Sequence, residues 1–281
     1  MKRRILSSLM ALVLVFGLLP VTVFAAEGET TDPFASATTI YVSEAGAGDG
    51  TAKDKPTTLP EAVAKINGYT PAPDEAAPTF IISLTGKSKT LDFTCNDGAL
   101  TLKKYATRIL GNGHSIETDR AIIAEGEGTR VDLGKPDGTD TLTVNVNADV
   151  PTLAIDNGAE MHMYDGVTVN HKTKQLSAAA IQLHNESSFY MHDGQVSDCF
   201  ALNGVIVAEE KSHVEIHGGE FSKNELEGGS GGGTIRLAGK SSLDVDGNVV
   251  FENNKTHNRG VAVHKTGFEK QILWQLSDKG C

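Results

Sequence analysis

Four dipeptides, Asp165-Gly166, Asp193-Gly194, Gly218-Gly219 and Asp246-Gly247, fall 28, 25 and 28 residues apart. Aligning the chain on them produces four apolar columns. Met161, Phe189, Val214 and Leu243 form one, and Met163, Met191, Ile216 and Val245 form a second two residues later. Leu153, Ile181, Ile206 and Ile235 form a third upstream, with Ile155, Leu183, Ala208 and Leu237 as the fourth. Spacings of two within each pair mark strands showing one face inward. Val167 and Val169, Val196, Phe221, and Val250 or Phe251 supply a third, less regular strand in each repeat. Three short strands in about 25 to 29 residues describe a coil stacked on itself, in which a single turn cannot bury its inner face alone. The Leu/Asn pattern of leucine-rich repeats and the four-strand blades of propellers are both missing. Glycine, 30 of 281 residues, is enriched over the usual share of about 7%, as a turn-rich all-β chain requires.

The repeats are clearest over 150–263, and the same architecture is expected over 39–281. Short strands precede them at Phe80 to Leu84, Leu100 to Leu102, Arg108 to Leu110, Ala121 to Ala124, Arg130 to Leu133 and Leu142 to Val146. Before these, residues 58–66 read as one helix: Thr58 and Glu61 make a capping box, and Leu59, Ala62, Val63 and Ile66 share a face. So short a helix needs something to cover.

At the N-terminus, Lys2 to Arg4, the apolar run Ile5 to Leu19 and the small-residue exit at Val23 and Ala25 read as a secretory signal peptide over 1–25, with cleavage before Ala26. Residues 26–38 read as a mobile polar leader. No second run of spanning length follows and no cell-wall sorting motif stands near Cys281, so the mature chain is expected without a transmembrane segment, secreted or at the cell surface. The net charge of −11 becomes −14 once three bases leave with the signal peptide, which argues against nucleic acid. Of three cysteines, Cys95 and Cys199 lie several turns apart and are not expected to pair.

The opening Ile40-Tyr-Val-Ser43, the loop Gly46 to Gly50, Pro56-Thr-Thr-Leu-Pro-Glu-Ala-Val63 and Arg108-Ile-Leu-Gly-Asn-Gly-His-Ser-Ile116 resemble the entry strand, capping helix and early rung of right-handed parallel β-helix proteins of the pectin-lyase-like kind. Ser187 to Ser197 is similar to the repeats of secreted bacterial surface proteins with this fold. The resemblance spans 39 to about 265 and implies a right-handed parallel β-helix. It also implies a side-chain ladder at the sharp turn, matched by Asn170, Asp198, Asn224 and Asn253.

With Met161 and Met163 inward, the outward residues are His162, Tyr190, Glu215 and Asp244 in one column and Tyr164, His192, His217 and Asp246 in the next. Tyr and His rings beside carboxylates suit sugars, whose C–H faces lie on rings while hydroxyls meet acids and imidazoles; the same residues also suit the solvated face of any sheet. His192, His217, Asp246 and Glu215 stand close enough to raise a metal site, but a flat ladder does not converge on an ion, and no metal is expected. The Asp-Gly turns offer Ca²⁺ only a weak site, since the repeated nonapeptide of Ca²⁺-binding β-helices is missing and turn geometry alone explains the glycines. No cofactor is expected.

The expected function is a non-catalytic extracellular or cell-surface interaction module, adhesin-like or glycan-binding, with a polysaccharide or a host or bacterial surface glycan as partner. One alternative is a polysaccharide lyase or hydrolase acting on an acidic, plant or host glycan, with Arg236 as the clearest outward base of a lyase beside Glu215 and Asp244. The other is a structural spacer in a longer surface protein.

Overall fold

The computed structural model describes residues 32–94, 98–173, 178–226, 233–256 and 261–265. The expected signal peptide, residues 26–31 of the expected leader, Cys95 and Cys281 lie outside them. A first unit, Met1–Ala35, contributes one turn, closed by Ala35 N–H on the Asp32 carbonyl at 2.9 Å. Everything below concerns the second unit, Ser36–Cys281.

That unit is an all-β, right-handed parallel β-helix. Its first ladder stacks β1 (Thr38–Val42), β2 (Thr79–Leu84), β5 (Ala106–Leu110), β8 (Arg130–Leu133), β11 (Glu160–Met163), β14 (Ser188–Met191), β18 (His213–Ser222) and β21 (Ser242–Glu252). The second stacks β3 (Thr90–Asp92), β6 (His114–Thr118), β9 (Leu142–Val146), β12 (Val167–His171) and β15 (Gln195–Ser197). It then runs into the far halves of β18 and β21, which pass through the corner and join both ladders into one sheet. The third ladder comprises β4 (Thr101–Lys103), β7 (Ile122–Glu125), β10 (Leu153–Asp156), β13 (Ile181–Leu183), β17 (Ile206–Ala208), β20 (Gly233–Leu237) and β23 (Val261–Lys265). Between the second and third ladders, β16 (Phe200–Ala201), β19 (Glu225–Leu226) and β22 (Lys255–Thr256) form a small sheet of their own. Every pairing is parallel, so each turn reaches the next only by travelling round the coil.

The apolar columns are the register. Met161 pairs with Phe189, Phe189 with Val214 and Val214 with Leu243, while Met163, Met191, Ile216 and Val245 follow two residues on. Leu153, Ile181, Ile206 and Ile235 stack likewise, as do Ile155, Leu183, Ala208 and Leu237. Through β18 the columns of the first ladder are fully buried, each large side chain contributing about 1.5–3 kcal/mol of burial. In the second ladder Val169, Val196, Phe221 and Phe251 stack, which selects Phe251 over Val250, and the Phe221 and Phe251 rings lie parallel at 4.9 Å. The helix α1 spans Leu59–Gly68 behind the expected capping box, burying Leu59, Ala62, Val63 and Ile66.

Two details correct the sequence reading. Gly219 pairs with Val249 rather than with Gly247, because β21 carries one extra residue after Asp246. Gly247 takes up this bulge at φ +69°, where a Cβ would lie 2.0 Å from the His217 carbonyl oxygen. At the sharp turn, Asp198 and Asn253 are not amide-ladder residues: with Lys223 they are the positive-φ residues. The ladder stands one residue later. Asn254 Nδ2 donates to the Phe221 carbonyl (2.7 Å) and Asn224 Nδ2 to the Val196 carbonyl (2.9 Å), while their Oδ1 atoms accept from Asn224 N–H and Cys199 N–H. Cys199 takes the next place, its Sγ 3.7 Å from the Val169 carbonyl. It is a free, buried thiol whose pKa burial pushes far up, which makes it an inert part of the ladder.

Candidate functional site

Outward positions of the first ladder are fixed by the same parity that buries the methionines. Arg108, Asp132, His162, Tyr190, Glu215 and Asp244 are successive register partners, with Arg130, Glu160, Ser188, His213 and Ser242 one column to the side. Tyr164, His192, His217 and Asp246 follow on the other side. All eight expected site residues therefore share one face, joined there by His213, Arg130, Asp132 and Arg108. Reading the parity back through β8 and β5 would have found these last three; Asp137-Gly138 follows β8 but stands four residues past Leu133, whereas Asp165 stands two past Met163, so aligning on it slides the register.

The N-terminal end of this face is closed. Asp132 is fully buried and accepts from Arg108 Nη2 (3.0 Å), Arg130 Nε (2.7 Å), Arg130 Nη2 (3.2 Å) and, at 3.4 Å, the Tyr164 hydroxyl. A buried carboxylate needs such partners. Tyr164 and His162 are only 7% and 8% exposed, so the expectation of an open ladder fails for these two. Burial and the Asp132 charge push the Tyr164 phenol above its ordinary value. Burial and the Arg130 charge pull the His162 imidazole down to about 4.

From His162 onward the side chains form a relay of rings. His162 Nδ1 and His192 Nε2 share a hydrogen bond of 3.0 Å. Burial, then the His217 charge, lower the His192 pKa as well, so the pair is neutral at pH 7, one ring donating and the other accepting. His217 lies between two acids, Nδ1 at 2.6 Å from Asp246 Oδ1 and Nε2 at 3.2 Å from Glu215 Oε1. His213 contacts Ser242 Oγ at 2.8 Å, with Glu215 at 3.5 Å and Asp244 at 3.8 Å from its Nε2.

The rings lie on one another. Centroids are 4.5 Å apart for His162 and Tyr190, 4.7 Å for Tyr164 and His192 and 5.5 Å for His192 and His217, with planes within 17° of parallel. Rung spacing of about 4.8 Å imposes this stacking. The faces of His162, Tyr164 and His192 lie against neighbouring rings, while Tyr190 and His217 are each stacked by one ring, Tyr190 meeting His213 edge-on.

Arg236 stands apart. It is on β20 of the third ladder, its Nη1 2.9 Å from Glu209 Oε1, and does not join Glu215 and Asp244. Among the described residues no group of three His, Cys, Asp or Glu side chains is placed to hold a metal ion, and no helix is long and apolar enough to cross a membrane. No family model, no curated protein and no solved structure matches this chain. What the site does is thus argued from its own geometry.

Proposed function

We propose that the chain is a secreted, non-catalytic interaction module of the pectin-lyase-like β-helix kind, which binds a surface or extracellular glycan along the open half of the first ladder, from Tyr190 to Asp246. The observation that carries this reading is the repetition of the face. Each rung places polar side chains at the same outward positions, Ser188, Tyr190 and His192, then His213, Glu215 and His217, then Ser242, Asp244 and Asp246, a line of hydrogen-bonding groups that suits a polymer with repeating hydroxyls. The basic signal segment Lys2 to Arg4 with its apolar run supports export. Dispersed hydrogen bonds of about 1 kcal/mol each sum along a ladder into useful affinity.

A glycan array decides it. Binding is expected for the mature chain and lost for Tyr190→Ala/His217→Ala, with the circular dichroism spectrum unchanged. Full binding by the double variant would remove the ladder from the account.

One observation favours a hydrolase as second reading: Glu215 and Asp244 are register partners, so two carboxylates stand side by side on strands about 4.8 Å apart, and glycoside hydrolases work with a pair of carboxylates. Reducing ends released from a glycan by the native chain and not by Glu215→Gln would establish it.

A further inference from the structure

The open half of the face has a charge that selects among glycans. Glu215, Asp244 and Asp246 have side chains 32–76% exposed. With His192 neutral in its bond to His162, His213 and His217 are the bases among them, so even with both imidazoles charged, three acids against two bases leave the surface negative. Both arginines of the face are committed to Asp132 at the closed end.

The flanks differ. On the side leading from the third ladder, Glu186 and Lys211 neutralise each other, with Glu210 and Lys240 beside them. On the side leading to the second ladder, a groove of about 430 Å³ carries Asp165, Asp193 and Glu220 with no lysine or arginine on its walls. Asp193 directly follows His192, and Glu220 lies three residues past His217 on the same strand, so the groove begins where the ladder turns the corner. Its floor is glycine: a Cβ on Gly194 would lie 2.8 Å from the Tyr164 and Val167 carbonyl oxygens. His162 Nε2 is buried without a hydrogen bond, and Glu160 Oε2 stands 3.7 Å away.

We propose that the ligand is an amine-bearing glycan, a chain of hexosamine units with free amino groups, and that uronate polymers are excluded. The inference rests on the glycan reading above and names its chemical class. Ammonium groups would meet Glu215, Asp244, Asp246 and the groove acids, while hydroxyls meet Tyr190, His192 and Ser242. A uronate chain would bring carboxylates against these acids, and neither the described walls of the groove nor the outward positions of β14, β18 and β21 in the first ladder carry a lysine or arginine to receive them. A lysine-rich extended peptide supplies the charge, but its same-side side chains recur about every 7 Å, out of step with rungs about 4.8 Å apart.

The test is calorimetric titration of the mature chain, at low and moderate salt, with a glucosamine hexamer, its fully N-acetylated form, a galacturonate hexamer and oligolysine. The glucosamine hexamer should bind at least about tenfold tighter than the other three and weaken with salt. Glu215→Gln/Asp244→Asn/Asp246→Asn should cost it about tenfold or more, with an unchanged thermal midpoint confirming the fold. Equal binding of the acetylated and free-amine hexamers would overturn the charge argument and leave the glycan reading standing. Preferred binding of galacturonate would do the same. Tighter binding of oligolysine would replace the glycan by a basic peptide, and silence from every oligomer would remove both proposals.

Discussion

At the scale of single residues, His162 ties the site to folding. Its imidazole loses water and faces the Arg130 guanidinium, with Asp132 opposing and His192 adding to the effect, so it titrates near 4 in the fold against an ordinary 6.5. Between those values the unfolded chain holds the proton that the folded chain refuses, and stability therefore rises with pH across the window. The contribution is complete above about pH 6.5 and is lost as pH falls toward 4. At about 1.4 kcal/mol per pH unit it amounts to something on the order of 3 kcal/mol. Thermal midpoints measured from pH 7 to pH 4 should fall steeply, and His162→Phe, which keeps a flat ring against Tyr190, should flatten that slope. A variant as acid-sensitive as the native chain would show that His162 is not the group refusing the proton.

Elements here are defined by which side of a strand a residue occupies, and adjacent positions at the end of β14 test that division. Met191 is fully buried between its register partners Met163 and Ile216. His192, immediately after it, faces outward among rings and acids. Met191→Asp should lose several kcal/mol, enough to unfold the repeats, because it buries a carboxylate with no partner, whereas His192→Asp should lose about 1 kcal/mol with its bond to His162. Equal thermal midpoints would invert the assignment of the whole first ladder. This division was legible in the sequence because an apolar column repeats wherever a turn stacks on its neighbour. Other features were less legible, each for a physical reason. The strands β3 and β6 read Thr-Leu-Asp and His-Ser-Ile-Glu-Thr, with one central apolar residue apiece and polar flanks, too little alternation to mark a strand without its stacked neighbours. The corner between the first and second ladders absorbs single-residue insertions, as at Gly247, so aligning on glycine slides the register there. Rings that look exposed by parity alone become buried when a neighbouring rung supplies a guanidinium or another ring, as Tyr164 and His162 do.

For the molecule as a whole, a coil in which each turn touches only the turns before and after it has no single centre, and its stability is a sum of turn and interface terms. Those terms are unequal along the chain. The face of α1 buries Leu59, Ala62, Val63 and Ile66 near the first turns. In the middle, Leu153, Ile155, Ile181 and Leu183 are fully buried. On β21 the inward columns of the first ladder thin out, with Leu243 partly buried and Val245 48% exposed. Opening should therefore begin at β21, which also carries Asp244 and Asp246 of the candidate site. Hydrogen exchange measured residue by residue should find amides of β10 and β13 the slowest and those of β21 faster by at least about a hundredfold, opening locally rather than with the whole domain. Saturating ligand bound across β14, β18 and β21 should then slow β21 selectively, since it couples the last turn to its neighbours. Uniform protection along the ladder would mean that the unit opens all at once and that β21 is no looser than its neighbours.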